Sequence, residues 1–109
     1  MHASLPWLGA IVLGGALGVA QAAGDPAKGR DKAGNCLGCH GIPSYTNVYP
    51  TYRVPRLGGQ HPEYIVAALK AYQRGDRPHP TMRAQAASLS EQDMADLAAF
   101  FSRFKEVTK

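Results

Sequence analysis

Cysteine is scarce in this sequence of 109 residues, in which only Cys36 and Cys39 occur. Two cysteines three positions apart close a loop too short to stabilise much of a fold, which argues against a disulfide scaffold. No run of five like charges occurs, and the basic residues alternate with acidic ones although the net charge is +4. This pattern argues against a nucleic-acid partner, and no alternating apolar run is long enough to predict a strand.

Basic residues are also missing from the N-terminus, where no Lys or Arg precedes Lys28. Residues 8–19 form an uncharged apolar run, and the small residues 20–23 supply an Ala-x-Ala site that predicts cleavage after Ala22. Because a spanning helix needs roughly 20 apolar residues, a signal peptide over 1–22 is favoured over an uncleaved membrane anchor. The remaining residues, 23–109, then form one small domain, which often needs a cofactor or another staple to be stable.

Helical periodicity dominates this domain and predicts an all-α structure of helices and loops. The predicted helices run from the cap Asp25 to Gly34-Asn35, from Pro62 to Arg74, and from the cap Ser90 to Phe104. Asp93 supplies a capping box for the last helix, and Gly75 predicts the end of the second. Residues 41–54 and 76–80, which are rich in proline, are predicted as loops.

The chemistry-bearing motif is Cys36-Leu37-Gly38-Cys39-His40. Cysteines at i and i+3 on a helical turn project to one side, where both thiols can meet the two vinyl groups of one porphyrin. His40 is then placed to bind the iron, and a C-x-x-C-H run is typical of covalent haem attachment. Three alternatives remain: a zinc site that would need two further ligands, a thioredoxin-like redox pair that lacks a strand–helix context, and a chance match to a short motif.

A second iron ligand has four candidates, which are Met82, Met94, His61 and His79. Met94 lies in the apolar stripe of the last helix, where methionine is more often core packing. Met82 follows residues 77–81, a segment predicted to be non-helical, and a sulfur on such a loop can reach the iron. These residues favour Met82 only modestly over His79.

The sequence resembles the class I cytochromes c, and among them the soluble bacterial subgroup whose members carry two such domains in tandem. The resemblance covers residues 23–104. It rests on the motif at 36–41, the run Pro55-Arg56-Leu57-Gly58-Gly59-Gln60, Tyr64 and its helix, Gly75-x-Arg77, and the segment 82–101.

The resemblance implies a small all-α class I cytochrome c fold, with about three to four helices wrapped around one covalent haem c. It implies that Gly29 lies where the first and last helices cross, close to the pair Phe100-Phe101. One motif means one haem, so electron passage between tandem domains is not expected within this chain. The loop 42–54 departs from the family pattern and receives no role.

The resemblance also implies roles for individual residues. The implied cofactor-binding residues are Cys36, Cys39, His40, Pro55, Gln60 and Met82. His40 and Met82 would be the metal ligands. The Pro55 carbonyl would accept the ring N–H of His40, and Gln60 would hydrogen-bond a haem propionate.

The function expected on these grounds is single-electron transport in the periplasm, not enzyme catalysis. The expected partners are other redox proteins, such as a membrane or periplasmic oxidase, reductase or dehydrogenase, with no nucleic acid and no small-molecule substrate. A homodimer or a dihaem cytochrome partner is left open. Two other functions remain, a haem subunit of a larger dehydrogenase or oxidase complex and a ligand-binding or catalytic haem protein.

Overall fold

The computed structural model describes Ser4, Gly9 and residues 23–49 and 51–105. Five helices and two short strands follow one another in these residues: α1 Pro26–Lys32, α2 Gly34–His40, β1 Thr46–Asn47, β2 Tyr52–Arg53, α3 Pro62–Arg74, α4 Pro80–Ala86 and α5 Glu91–Arg103. The all-α prediction is confirmed, although the described helices number five, where three to four were expected. Apart from Ser4 and Gly9, the predicted signal peptide lies outside the described residues.

The first helix begins as predicted but is followed at once by another. The Asp25 carboxylate accepts the N–H groups of Ala27 and Lys28, at 2.9 and 3.4 Å, and caps α1. The expectation that Gly34 and Asn35 end the helical segment is wrong, because α2 begins at Gly34 after a single turn residue, Ala33. Glycine lowers helix stability by only about 1 kcal/mol, which tertiary packing can override.

Helix α3 has the predicted bounds, since the sequence indicated both of its ends. Gly75 ends it in the left-handed conformation, with φ at 81°. The backbone N–H of Gly75 then donates to the carbonyl of Tyr72, and that of Arg77 donates to the carbonyl of Ala71. Helix α4 begins at Pro80, shortly after this turn.

Two predicted loops contain regular structure. Met82 lies in α4 and not on a loop, because Pro80 occupies the first helical turn, where its missing N–H costs nothing. Between His40 and Pro55, strands β1 and β2 form an antiparallel hairpin in which Asn47 pairs with Tyr52. Strands of two residues are too short to give an alternating pattern, so the sequence could not reveal them.

Helix α5 forms the centre of the core. Ser90 and Asp93 make the predicted capping box, in which each side chain accepts the other residue's N–H. The buried residues of α5 are Met94, Asp96, Leu97, Ala98, Phe100 and Phe101. Most of the predicted apolar stripe of α5 is therefore buried.

In the described part of the chain, no helix is both long and apolar enough to cross a bilayer.

The first and last helices cross at very short distance, as expected for Gly29. A methyl group on Gly29 would overlap the carbonyl oxygen of Asp96 and would stand 2.8 Å from Cβ of Phe100. The missing side chain therefore permits the crossing, and this expectation is confirmed.

Asp96 fixes that crossing with a network of polar contacts that the sequence did not predict. Its side chain is fully buried. One carboxylate oxygen accepts the backbone N–H of Asp25 at 2.9 Å and the side-chain amide of Gln92 at 2.8 Å. The other carboxylate oxygen accepts a hydrogen bond from Nζ of Lys32 at 2.7 Å. The ammonium of Lys32 and these hydrogen bonds hold the pKa of Asp96 at about 2, below its ordinary 3.8.

The Asp96→Asn variant is expected to lose about 1–3 kcal/mol of unfolding free energy at neutral pH, because the amide cannot pair with Lys32. A depressed pKa stabilises the fold fully above the unfolded value of 3.8 and loses that contribution as pH falls towards 2. The difference in unfolding free energy between the native protein and the variant should therefore decrease as the pH falls from 4 to 2. Urea unfolding at several pH values measures it, with Asp31→Asn on the exposed side of α1 as control. An equal difference in unfolding free energy at pH 6 and at pH 2.5 would contradict the lowered pKa of Asp96.

Candidate functional site

A cavity of about 440 Å³ lies between α2, α3, α4 and the hairpin. Its volume falls within the range of roughly 300–1,000 Å³ that is usual for small-molecule and cofactor pockets. All six predicted cofactor-binding residues line it: Cys36, Cys39, His40, Pro55, Gln60 and Met82. Of the other iron-ligand candidates, only His79 lines this cavity, whereas Met94 is buried in α5.

The two cysteines lie on α2, as half-buried free thiols. They are one helical turn apart and both line the cavity, which is the arrangement needed to bond one flat group at two points. Burial raises the pKa of the Cys36 thiol. Redox-active thiols typically have a lowered pKa, and α2 follows another helix and not a strand, so the thioredoxin-like alternative loses support.

His40 is the last residue of α2 and is buried, with 8 % of its surface exposed. Its Nδ1 lies 2.7 Å from the carbonyl oxygen of Pro55. A carbonyl can only accept, so Nδ1 carries a proton, and in the neutral form of the ring Nε2 then has the lone pair. A neutral imidazole fixed in this way is a good iron ligand, because the outer hydrogen bond sets both its tautomer and its orientation.

Met82 reaches the same cavity from α4, which is held at both ends. At the start of α4, the backbone N–H of Met82 donates to Nδ1 of His79 at 3.2 Å. At its end, the side-chain amide of Gln73 donates to the carbonyls of Ala86 and Leu89, at 3.0 and 2.8 Å. Met82 is therefore positioned by contacts on either side of it.

Three arginines, Arg53, Arg56 and Arg77, also line the cavity, and none of them was predicted to be a site residue. None of the described lining residues is Asp or Glu, so the walls combine apolar side chains with positive charge. Arg56 and Arg77 belong to the motifs that carry the family resemblance, but nothing in the sequence places them or Arg53 on a cavity wall. Gln60 accepts the N–H of His61 at 2.9 Å, and its contact with a propionate stays a prediction.

These residues fit a haem. Apolar walls suit the macrocycle, arginines suit its two carboxylates, and imidazole and thioether groups are among the ligands that bind haem iron. Within the described part of the chain, no three His, Cys, Asp or Glu side chains cluster closely enough to hold a metal ion. The zinc alternative therefore has no support there.

Comparison with known proteins agrees with this fit, since the family model of cytochrome c matches residues 26–104. The chain belongs to the cytochrome c family. Cytochrome c-554(548) of Halomonas halodenitrificans is 41 % identical over 83 residues, which cover 73 % of this chain and 96 % of that protein. Cytochrome c4 of Pseudomonas aeruginosa is 37 % identical over 91 residues, which cover 84 % of this chain but only 44 % of that protein.

A third relative, from Thiomonas intermedia, is named thiosulfate dehydrogenase electron acceptor. It is 31 % identical over 74 residues, which cover 68 % of this chain and 33 % of that protein. The chain thus spans nearly all of one relative and less than half of the other two.

Membership of the family defines the cofactor and the general function. The chain is a haem protein with covalently bound haem c, and it carries electrons to and from redox partners; it is not an enzyme. The bound haem supplies a one-electron redox centre. The chain itself supplies a largely apolar cavity, an imidazole held by the carbonyl of Pro55, and two thiols on the cavity wall.

Proposed function

We propose that this chain is a periplasmic monohaem carrier that moves single electrons between redox proteins. Residues 1–22 would direct export and be removed, and residues 23–109 would form the cytochrome c domain. Cys36 and Cys39 would attach the haem, and His40 and Met82 would bind the iron. The observation that carries the proposal is the shared cavity, which both cysteines, the oriented imidazole of His40 and Met82 all line.

Two protein ligands on the iron would leave no position for a substrate, which favours a carrier over a ligand-binding haem protein. Pro55 would keep the imidazole of His40 in one orientation. With both ligands held in place in both oxidation states, little reorganisation would accompany electron transfer. Gln60, together with the lining arginines, would bind the propionates.

The cavity reaches the protein surface near Tyr64, which lines it and has 53 % of its surface exposed. Electrons would pass there by outer-sphere transfer through a small and short-lived interface. The Thiomonas relative is named as an electron acceptor of a dehydrogenase. This favours a dehydrogenase as the donor for this chain, with a membrane or periplasmic oxidase or reductase as the acceptor.

The optical spectrum of the protein, purified from a host with haem-attachment machinery, tests the proposal. We expect haem that stays with the protein in acidified acetone, and a weak far-red band in the oxidised form, which methionine sulfur gives on ferric haem. We also expect the reduced form not to bind carbon monoxide. Tight carbon monoxide binding would indicate a ligand-binding haem protein, and co-purification with a large partner would indicate a subunit of a complex.

A further inference from the structure

His79 caps helix α4 in an unusual way. It occupies the N-cap position in an extended conformation, and its ring Nδ1 accepts the N–H of Met82 at 3.2 Å. Its carbonyl accepts the N–H of Arg83 at 2.8 Å. Ser, Thr, Asp and Asn are the residues that usually cap helices, and each would serve with a smaller side chain. The ring of His79 thus offers contacts that an ordinary cap does not.

Those contacts come from two other parts of the chain. The ring of Tyr52, in strand β2, meets the ring of His79 edge to face, with 4.7 Å between centroids. The ring of Tyr72, in α3, approaches it in the same manner at 6.0 Å. The guanidinium of Arg77 lies over the Tyr72 ring, 4.5 Å from its centroid. We call these four residues, Tyr52, Tyr72, Arg77 and His79, the His79 cluster.

The cluster lies beside the methionine. All four of its residues line the same cavity as Met82. Tyr52 is half-buried, whereas Tyr49 at the tip of the hairpin has 91 % of its surface exposed. The hairpin therefore directs one tyrosine inwards, onto the residue that caps the Met82 helix.

We propose that Tyr52 and His79 are positioning residues that keep the sulfur of Met82 on the haem iron, with the hairpin as their support. The inference rests on the proposed function, in which Met82 is an iron ligand. His79 fixes the backbone of Met82 through the cap, and Tyr52 fixes the ring of His79. The segment between His40 and Pro55, which had no role in the sequence analysis, thereby gains one.

Competition by imidazole for the ferric iron measures how firmly Met82 is held. Tyr52→Ala removes the edge-to-face contact. The imidazole concentration that abolishes half of the far-red band should therefore be roughly two- to tenfold lower than in the native protein. Tyr49→Ala, the same change at the exposed tip of the hairpin, should leave it unchanged. Tyr52→Phe, which keeps the ring, should behave like the native protein.

A double-variant cycle separates positioning from easier access of imidazole to the cavity. His79→Asn keeps a capping acceptor but lacks the ring, so Tyr52→Ala should add no further effect in that background. The far-red band of Tyr52→Ala should also disappear on heating at a lower temperature than in the native protein, without added ligand. The unfolding temperature measured by far-ultraviolet circular dichroism should move less, since Tyr52 lies outside the buried core.

Two results would overturn the proposal: equal imidazole midpoints for Tyr52→Ala and Tyr49→Ala, or an undiminished effect of Tyr52→Ala in the His79→Asn background. If Tyr52→Ala gives no folded protein, Tyr52→Val keeps the strand propensity and serves in its place. Absence of the far-red band from the native protein would instead refute Met82 as ligand. The failure of the proposed function is thus distinguishable from the failure of this inference.

Discussion

The double variant Cys36→Ala, Cys39→Ala is expected to be purified without covalent haem and without a stable fold. Without the haem, the apolar wall of the cavity of about 440 Å³ would be exposed to water, at a cost of roughly 25 cal/mol per Å² of apolar surface. The whole stability of a small domain is only about 5–15 kcal/mol. Extraction into acidified acetone measures the attached haem, and far-ultraviolet circular dichroism measures the helix content.

The single variants provide the control for this experiment. Cys36→Ala and Cys39→Ala each leave one thiol on the wall of the cavity, so each should retain some covalent haem. A double variant that still holds its haem after extraction would show that the attachment lies elsewhere. A colourless double variant with native helix content would show that the fold does not depend on the cofactor.

The Met82→Ala variant is expected to lose the far-red band and to bind carbon monoxide when reduced, because the iron position proposed for Met82 would be vacated. Its reduction potential should fall by on the order of 100 mV or more, within the roughly 0.8 V range that axial ligands set. Absorption spectroscopy and a potentiometric titration measure both effects. An unchanged spectrum would remove Met82 from the ligand assignment and direct attention to His79.

The chain offers a matched control for this substitution. Met94 is equally a methionine, but it is buried in α5 and is not among the residues that line the cavity. Leucine replaces methionine at nearly constant volume, usually at a cost below about 1.5 kcal/mol. Met82→Leu should therefore lose the band and lower the potential, whereas Met94→Leu should keep both.

The parts of this fold that the sequence predicted are those specified by local chemistry. Ser90 and Asp93 predict the start of α5 because their side chains satisfy each other's backbone N–H groups. Gly75 predicts the end of α3 because it adopts a left-handed conformation that other residues disfavour. Cys36, Cys39 and His40 of the motif at 36–40 line one cavity, and their roles in haem attachment and iron binding stay a prediction.

The features that the sequence did not predict are of two kinds: one is a local proline pattern that fits two structures, and the others depend on residues far apart in the chain. The helical position of Met82 was missed because prolines in 77–81 suggested a loop, although Pro80 fits the first turn of α4. The buried carboxylate of Asp96 is satisfied by Asp25, 71 positions away, which no local pattern reveals. The contact of Tyr52 with His79 and the arginines on the cavity wall likewise appear only when the chain is folded.

The contact between Asp25 and Asp96 also limits how early the domain can fold during synthesis. Ribosomes add roughly 5–20 residues per second, so the 71 residues that separate these partners take on the order of 4–14 s to make. During that interval helix α1 has no α5 to pack against, and the neighbouring Cys36 and Cys39 have been made but are not yet enclosed. The crossing of α1 with α5 therefore cannot form until synthesis of the domain is almost complete.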